Sequence, residues 1–146
     1  MRTRQSGVTL IELMVVMVIV AILAGIGYPS YRQYVVRSNR SEAKVGLIQA
    51  AQGLERCYTQ FNVYNNNTAV TGCAIFRDSL DTGKSIVTPN GYYTITGGSA
   101  VTAASYTLTA TPNGAQANDT QCGNLTLDDK NVKGKTGTLT AAECWK

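Results

Sequence analysis

The stretch that decides the fold is RQSGVTLIELMVVMVIVAILAGIGYPSY, Arg4 to Tyr31. From Val8 to Tyr28 it is apolar apart from Thr9 and Glu12. Those 21 residues make a helix of about 31 Å, the thickness of a hydrocarbon core. A carboxylate at mid-bilayer costs about 3 kcal/mol on insertion scales, so Glu12 asks for a partner. Arg2 and Arg4 precede the run, and the positive-inside rule then keeps the N-terminus cytoplasmic and the remainder across the membrane. Arg32, Arg37 and Arg40 follow on the far side and weaken that asymmetry, unless they snorkel or cover a helix face. A cleaved secretory signal ending near AGIGYPS, or a plain membrane anchor, would fit the length. Neither explains Glu12, nor the Gly7 that closes a short polar leader.

Working outward, a chain of 146 residues has room for the apolar segment and one small domain of about 110 residues. The net charge is +4, and with Arg2 and Arg4 set aside the excess falls to +2, too weak for a nucleic-acid coat. Histidine is absent, which removes Ser-His-Asp and Cys-His catalysis and His-ligated metal sites. Cys57, Cys73, Cys122 and Cys144 form no Cys-x-x-Cys pair, so zinc and thioredoxin-like readings are weak. Four cysteines beyond an export segment read as two disulfides. Three pairings are open. Sequence order favours the local ones, Cys57–Cys73 and Cys122–Cys144, each closing a loop of roughly 15–20 residues worth about 3 kcal/mol.

Gly25, Gly27 and Pro29 weaken the helix at the end of the apolar run, because proline removes a hydrogen bond and kinks the axis. Helical spacing then resumes. Leu47, Ala51, Leu54, Tyr58 and Phe61 share one face, with Ala43 and Val36 extending it, which predicts one helix from about Val8 to Phe61 with an amphipathic second half. Tyr31 and Tyr34 sit where interfacial anchors belong. Arg37, Arg40 and Lys44 share another face, a candidate DNA or anion face. Few aromatics interleave with them, which favours a solvated or inter-subunit face with Glu42 nearby.

Residues 62–91 are rich in Asn and Gly and carry Pro89, and read as a connecting loop that Cys73 would tether, with Ala74–Phe76 as a short piece of structure. Alternating stretches follow at Tyr92–Thr96, from Ser105 and at Gly123–Asp128, predicting an antiparallel meander over 92–128. Tyr106, Leu108, Ala110, Leu125 and Leu127 face inward on that reading. Asp129–Thr140 begins like a calcium loop but has Lys133 and Thr140 where acids are required. The Asn-x-Ser/Thr triplets at Asn39, Asn66, Asn118 and Asn124 are chance matches in a Thr-rich chain. No phosphate-binding loop or paired carboxylate suggests catalysis, and no cofactor or metal is expected.

SG-VTLIELMVVMVIVAILAGIGYPSYRQYVVRS resembles the N-terminus of a type IV pilin precursor. The resemblance implies an α+β pilin fold, a long N-terminal helix whose first half spans the membrane, packed on a small antiparallel sheet. It implies cleavage between Gly7 and Val8 by a prepilin peptidase and N-methylation of Val8, where the family usually has Phe. Residues 1–7 would be the leader, 8–28 the membrane and filament-core half of the helix, and 29–61 its amphipathic half. Glu12 becomes the fifth mature residue and faces the N-terminal amine of a neighbouring subunit, offsetting a buried charge by pairing it. Pro29, Tyr31 and Tyr34 match assembly positions, and Ala21–Pro29 is where the helix would melt in a filament. TATP…DTQCGNLTLD…CW resembles the C-terminal region of PilE-type minor pilins, whose last two cysteines bridge the final loop to the sheet. This implies a Cys122–Cys144 bridge bounding residues 122–146.

The expected role is therefore a structural minor pilin of a type IV pilus, serving pilus biogenesis, twitching motility and adhesion. Its partners would be other major and minor pilins, the peptidase and the inner-membrane assembly machinery. It would reside in the inner membrane with a periplasmic C-terminus before assembly, and on the cell surface afterwards. A DNA-binding or ligand-binding pilin is the alternative of another class, and a type II secretion pseudopilin shares the assembly chemistry.

Overall fold

The computed structural model describes residues 7–65 and 72–146. Arg2, Arg4, most of the leader and Asn66 lie outside the described residues. The chain divides into two compact units at Val35 and Val36. A helix α1, Leu10–Phe61, contributes to both and continues through Pro29.

In the first unit every large apolar side chain from Val8 to Ile26 is 51–77% exposed. Water is a poor solvent for so continuous an apolar surface. This segment of α1 is long and apolar enough to cross a membrane.

In the second unit α1 becomes amphipathic. Arg40, Ala43, Leu47, Ala50, Ala51, Leu54 and Cys57 are its buried residues. The buried line runs through Ala50 and Cys57, so Tyr58, read from the sequence as part of the core stripe, stands on its flank and stacks on Tyr64 at 4.6 Å between ring centroids. Val36, expected to extend the stripe, is only half-buried.

The stripe packs on a five-stranded antiparallel sheet in the order β1 (Ile86–Val87), β2 (Tyr93–Thr96), β3 (Thr107–Pro112), β4 (Leu125–Asp128), β5 (Lys133–Lys135). The three alternating stretches of the sequence are its central strands. Cross-strand register aligns Ile95 with Ala110 and Ala110 with Leu125, and Leu108 with Leu127, all buried. The threonines paired beside them, Thr94–Thr111 and Thr109–Thr126, fall on the opposite face because side chains alternate along a strand.

Two edge strands lie where the sequence reads as loop. The pair Ile86–Val87 is too short to show a period, and β5 is Lys-Gly-Lys, which carries no apolar signal. Phe76–Leu80 forms a π-helical turn that buries both end residues. Gly46 lies against the sheet without a side chain, and a Cβ there would overlap the Ile95 Cδ1.

Disulfides join Cys57 to Cys73 and Cys122 to Cys144, with Cα atoms 5.3 and 5.7 Å apart. The first ties the connecting segment to α1. The second closes a loop carrying β5 and a short helix α2 (Ala141–Cys144), whose Thr140 and Glu143 form a capping box.

Candidate functional site

The N-terminal site is built from the start of α1. Thr9 precedes the first helical residue, and its hydroxyl accepts from the Glu12 N–H at 3.3 Å. The Glu12 carboxylate accepts from the Thr9 N–H at 3.5 Å. These reciprocal contacts form a capping box, so in the single chain Glu12 completes its own helix end. The Thr-x-x-Glu spacing is the sequence signal for this cap. Gly7 and Val8 lie ahead of the cap and are exposed. Tyr31 and Tyr34 are about 70% exposed, at 67% and 71%.

The candidate basic face is not one open face. Arg40 turns inward and is 3% exposed. Its Nε and Nη2 each donate to Asp119 at 2.7 Å, and Nη2 also donates to Gln121 at 3.3 Å. A buried guanidinium needs such a partner, and this one's hydrogen bonds are directed into the protein rather than towards an incoming anion. Asp119 also accepts from the Cys122 N–H at 3.2 Å, so the pair fixes the base of the disulfide-bounded loop. Gln116 joins in by donating to the Tyr93 hydroxyl at 3.0 Å and to the Val36 carbonyl at 3.2 Å. Pairing Arg40 with a residue 79 positions away leaves no local signal.

Lys44 remains, with company from the far end of the chain. Its Nζ donates to the Lys146 carbonyl. Burial lowers its pKa, and the positive charges of Arg40 and Lys133 lower it further. Lys133 stands over the Trp145 ring, its Nζ 5.4 Å from the centroid, and the Trp145 indole donates to the Gly134 carbonyl at 3.0 Å. Lys44 and Lys146 line a hollow of about 300 Å³ together with Arg37, which is exposed, and Glu143. Lysines gathered from three parts of the chain make a favourable position for a polyanion, and the indole adds a stacking surface. Lys133 and Trp145 escape sequence reading because β5 and α2 bring them to α1 only in the fold.

A second cleft lies further along α1. Glu55 accepts from the hydroxyls of Tyr64 at 3.2 Å and Tyr106 at 3.0 Å. Tyr64 is pushed up to about 12, first by burial and then by the Glu55 charge, and Tyr106 is pushed up further by burial and its hydrogen bond to Glu55. Both therefore stay neutral donors that hold the carboxylate. No cluster of potential metal ligands occurs among the described residues.

Residues 2–28 match the prokaryotic N-terminal methylation motif. Residues 29–126 match the family described as type IV minor pilin ComP, DNA uptake sequence receptor. The fimbrial protein EcpC of Eikenella corrodens is 42% identical over 71 residues, 48% of this chain and 46% of that protein. A type IV major pilin PilE1 of Neisseria gonorrhoeae is 44% identical over 61 residues, 42% of this chain and 34% of that protein. Each match thus spans less than half the relative's length. The crystal structure of the non-core minor pilin PilV of Neisseria meningitidis superposes with a TM-score of 0.51 at 25% identity, covering 73% of this chain and 92% of that one. The methylation motif, the helix-on-sheet fold and a family match across most of the chain agree, and this chain belongs to the ComP family of type IV minor pilins.

Proposed function

We propose that this chain enters a type IV pilus as a minor subunit after cleavage between Gly7 and Val8, with Val8 methylated and Glu12 facing a neighbouring subunit's N-terminal amine. The carrying observation is the exposed apolar length of α1 with one carboxylate at its start. Leaving the bilayer for a bundle of like helices would exchange a capped carboxylate in lipid for a paired one. Before assembly the helix holds the chain in the inner membrane with its second unit in the periplasm. The peptidase, the assembly machinery and the other pilins are its partners. Twitching motility and adhesion belong to the filament, and the chain takes part in them as a subunit. Mass spectrometry of sheared pili tests the reading by detecting this chain and whether its N-terminal peptide begins at methylated Val8.

A second reading is favoured by the match to a DNA uptake sequence receptor family over residues 29–126, which lie mostly in the second unit. Here the chain receives DNA at Lys44, Lys133, Lys146 and Trp145, by phosphate contacts and stacking. From the basic face of the sequence Lys44 carries over with Arg37 beside it, while Arg40 is held by Asp119. Fluorescence anisotropy of a labelled duplex with the full chain in detergent, at two salt concentrations, tests it. Salt-sensitive binding is expected, and no binding at low salt would dismiss the reading.

A further inference from the structure

The end of the apolar run gathers groups to which the filament and DNA readings give no ligand. Arg32 is exposed and makes no hydrogen bond or ion pair among the described residues. No acid answers its charge along the helix, since neither Asp nor Glu occurs from Leu13 to Ser41. Tyr28 and Tyr31 are 65% and 67% exposed.

An uncovered acceptor stands beside them. Pro29 lies inside α1. Proline has no N–H to give to the carbonyl four residues before it, so the Gly25 carbonyl lacks its usual helical donor. There is open space where a Cβ would stand at Gly25 and at Gly27. At 3.6 residues per turn, Gly25, Tyr28, Tyr31 and Arg32 fall within about 120° of arc and about 10 Å of axis. One face of α1 thus presents a cation, two hydroxyls and a backbone acceptor, directly beyond apolar side chains that are exposed as far as Ile26.

We propose that this face binds an anionic phospholipid with a hydroxyl-bearing headgroup, of the phosphatidylglycerol class, while the chain is held in the membrane. Arg32 and the two tyrosine hydroxyls donate to the phosphate, and a glycerol hydroxyl donates to the Gly25 carbonyl. The acyl chains continue along the apolar run. Charge complementarity selects the anion, and the freed carbonyl selects the hydroxyl. A cation at the far end of the span runs against the positive-inside rule, and an anionic headgroup offsets it. This site rests on the reading of α1 as a membrane span before assembly.

The test is native mass spectrometry of the full chain, released from micelles holding equal amounts of phosphatidylglycerol, phosphatidic acid and phosphatidylcholine. The wild type should retain phosphatidylglycerol about 5-fold over phosphatidylcholine, and Arg32→Gln should lose that preference for both anionic lipids. Arg37→Gln, further along α1, should keep it. Pro29→Ala gives the Gly25 carbonyl its donor back, and should lower retention of phosphatidylglycerol about threefold while leaving phosphatidic acid unchanged. Equal retention of the three lipids, equal losses for Arg32→Gln and Arg37→Gln, or a Pro29→Ala chain with wild-type retention of phosphatidylglycerol would overturn the site. Flotation with vesicles of phosphatidylcholine alone is scored separately. A chain that does not float fails the membrane reading and the site with it, whereas one that floats but shows no lipid preference fails the site alone.

Discussion

Arg40 and Asp119, 79 positions apart in sequence, meet through two 2.7 Å hydrogen bonds with side chains 3% and 1% exposed. The pair anchors the segment before Cys122 to the helix, and with it the loop that carries Lys133 and Trp145. Removing one member of a buried pair strands the other charge. Asp119→Ala should therefore cost about 3–5 kcal/mol in denaturant unfolding of the disulfide-intact chain. A loss below about 1 kcal/mol would mean that solvent already reaches the guanidinium.

Alkali should unfold the second unit through its tyrosines. Tyr64 and Tyr93 are raised to about 12, both mainly by burial, and Tyr106 is raised too. An unfolded tyrosine releases its proton near pH 10. Between about 10 and 12 the unfolded chain thus holds fewer protons than the native one, and stability falls with rising pH. The contribution is whole below about pH 10 and is lost as pH climbs through 12. Melting temperatures measured from pH 9 to 12 should drop across that window, with part of the tyrosinate absorbance appearing only on unfolding. A flat profile would contradict the burial of these hydroxyls.

A side chain at Gly46 should cost stability, because it meets Ile95. Gly46→Ala places a methyl against Ile95 and should destabilise by about 1–3 kcal/mol despite alanine's better helix propensity. Ile95→Val on that background should return part of the loss, which a double-mutant cycle of unfolding free energies would register. Additive losses would show that the two positions do not touch.

For the DNA reading, Lys133→Ala and Lys44→Ala should each weaken duplex binding and lower the salt slope by about one phosphate contact. Trp145→Ala should weaken binding with little change of slope, because stacking releases no counterion. Lys84→Ala, beside the opposite edge strand of the sheet from Lys133, should leave the slope unchanged. Anisotropy titrations over a salt series separate these outcomes, and equal slopes for all four chains would remove the lysine cluster from the interface.

What was legible in the sequence followed the range of each signal. Twenty-one residues of apolar run and a repeating helix stripe are long, regular patterns, and the central strands each alternate for at least four residues. The pairings Cys57–Cys73 and Cys122–Cys144 are the local ones, a solution that sequence order can favour without excluding the others. Ile86–Val87 and Lys133–Lys135 are strands only because a neighbour offers them a ladder, and nothing in their own residues says so. Arg40 looked like part of a surface because arginines usually are. Its burial follows from Asp119, which the fold brings to it from beyond the third strand. The same long-range closure gathers Lys44, Lys133 and Trp145, and sets Tyr106 on Glu55.

The most direct test of the account concerns Glu12. A strain producing only the Glu12→Ala chain should still cleave it between Gly7 and Val8 and hold it in the membrane fraction, yet sheared pili should contain little or none of it by quantitative mass spectrometry. If the Glu12→Ala chain enters sheared pili at the wild-type level, the carboxylate does no more than cap its own helix, and the pairing with a neighbour's amine is wrong.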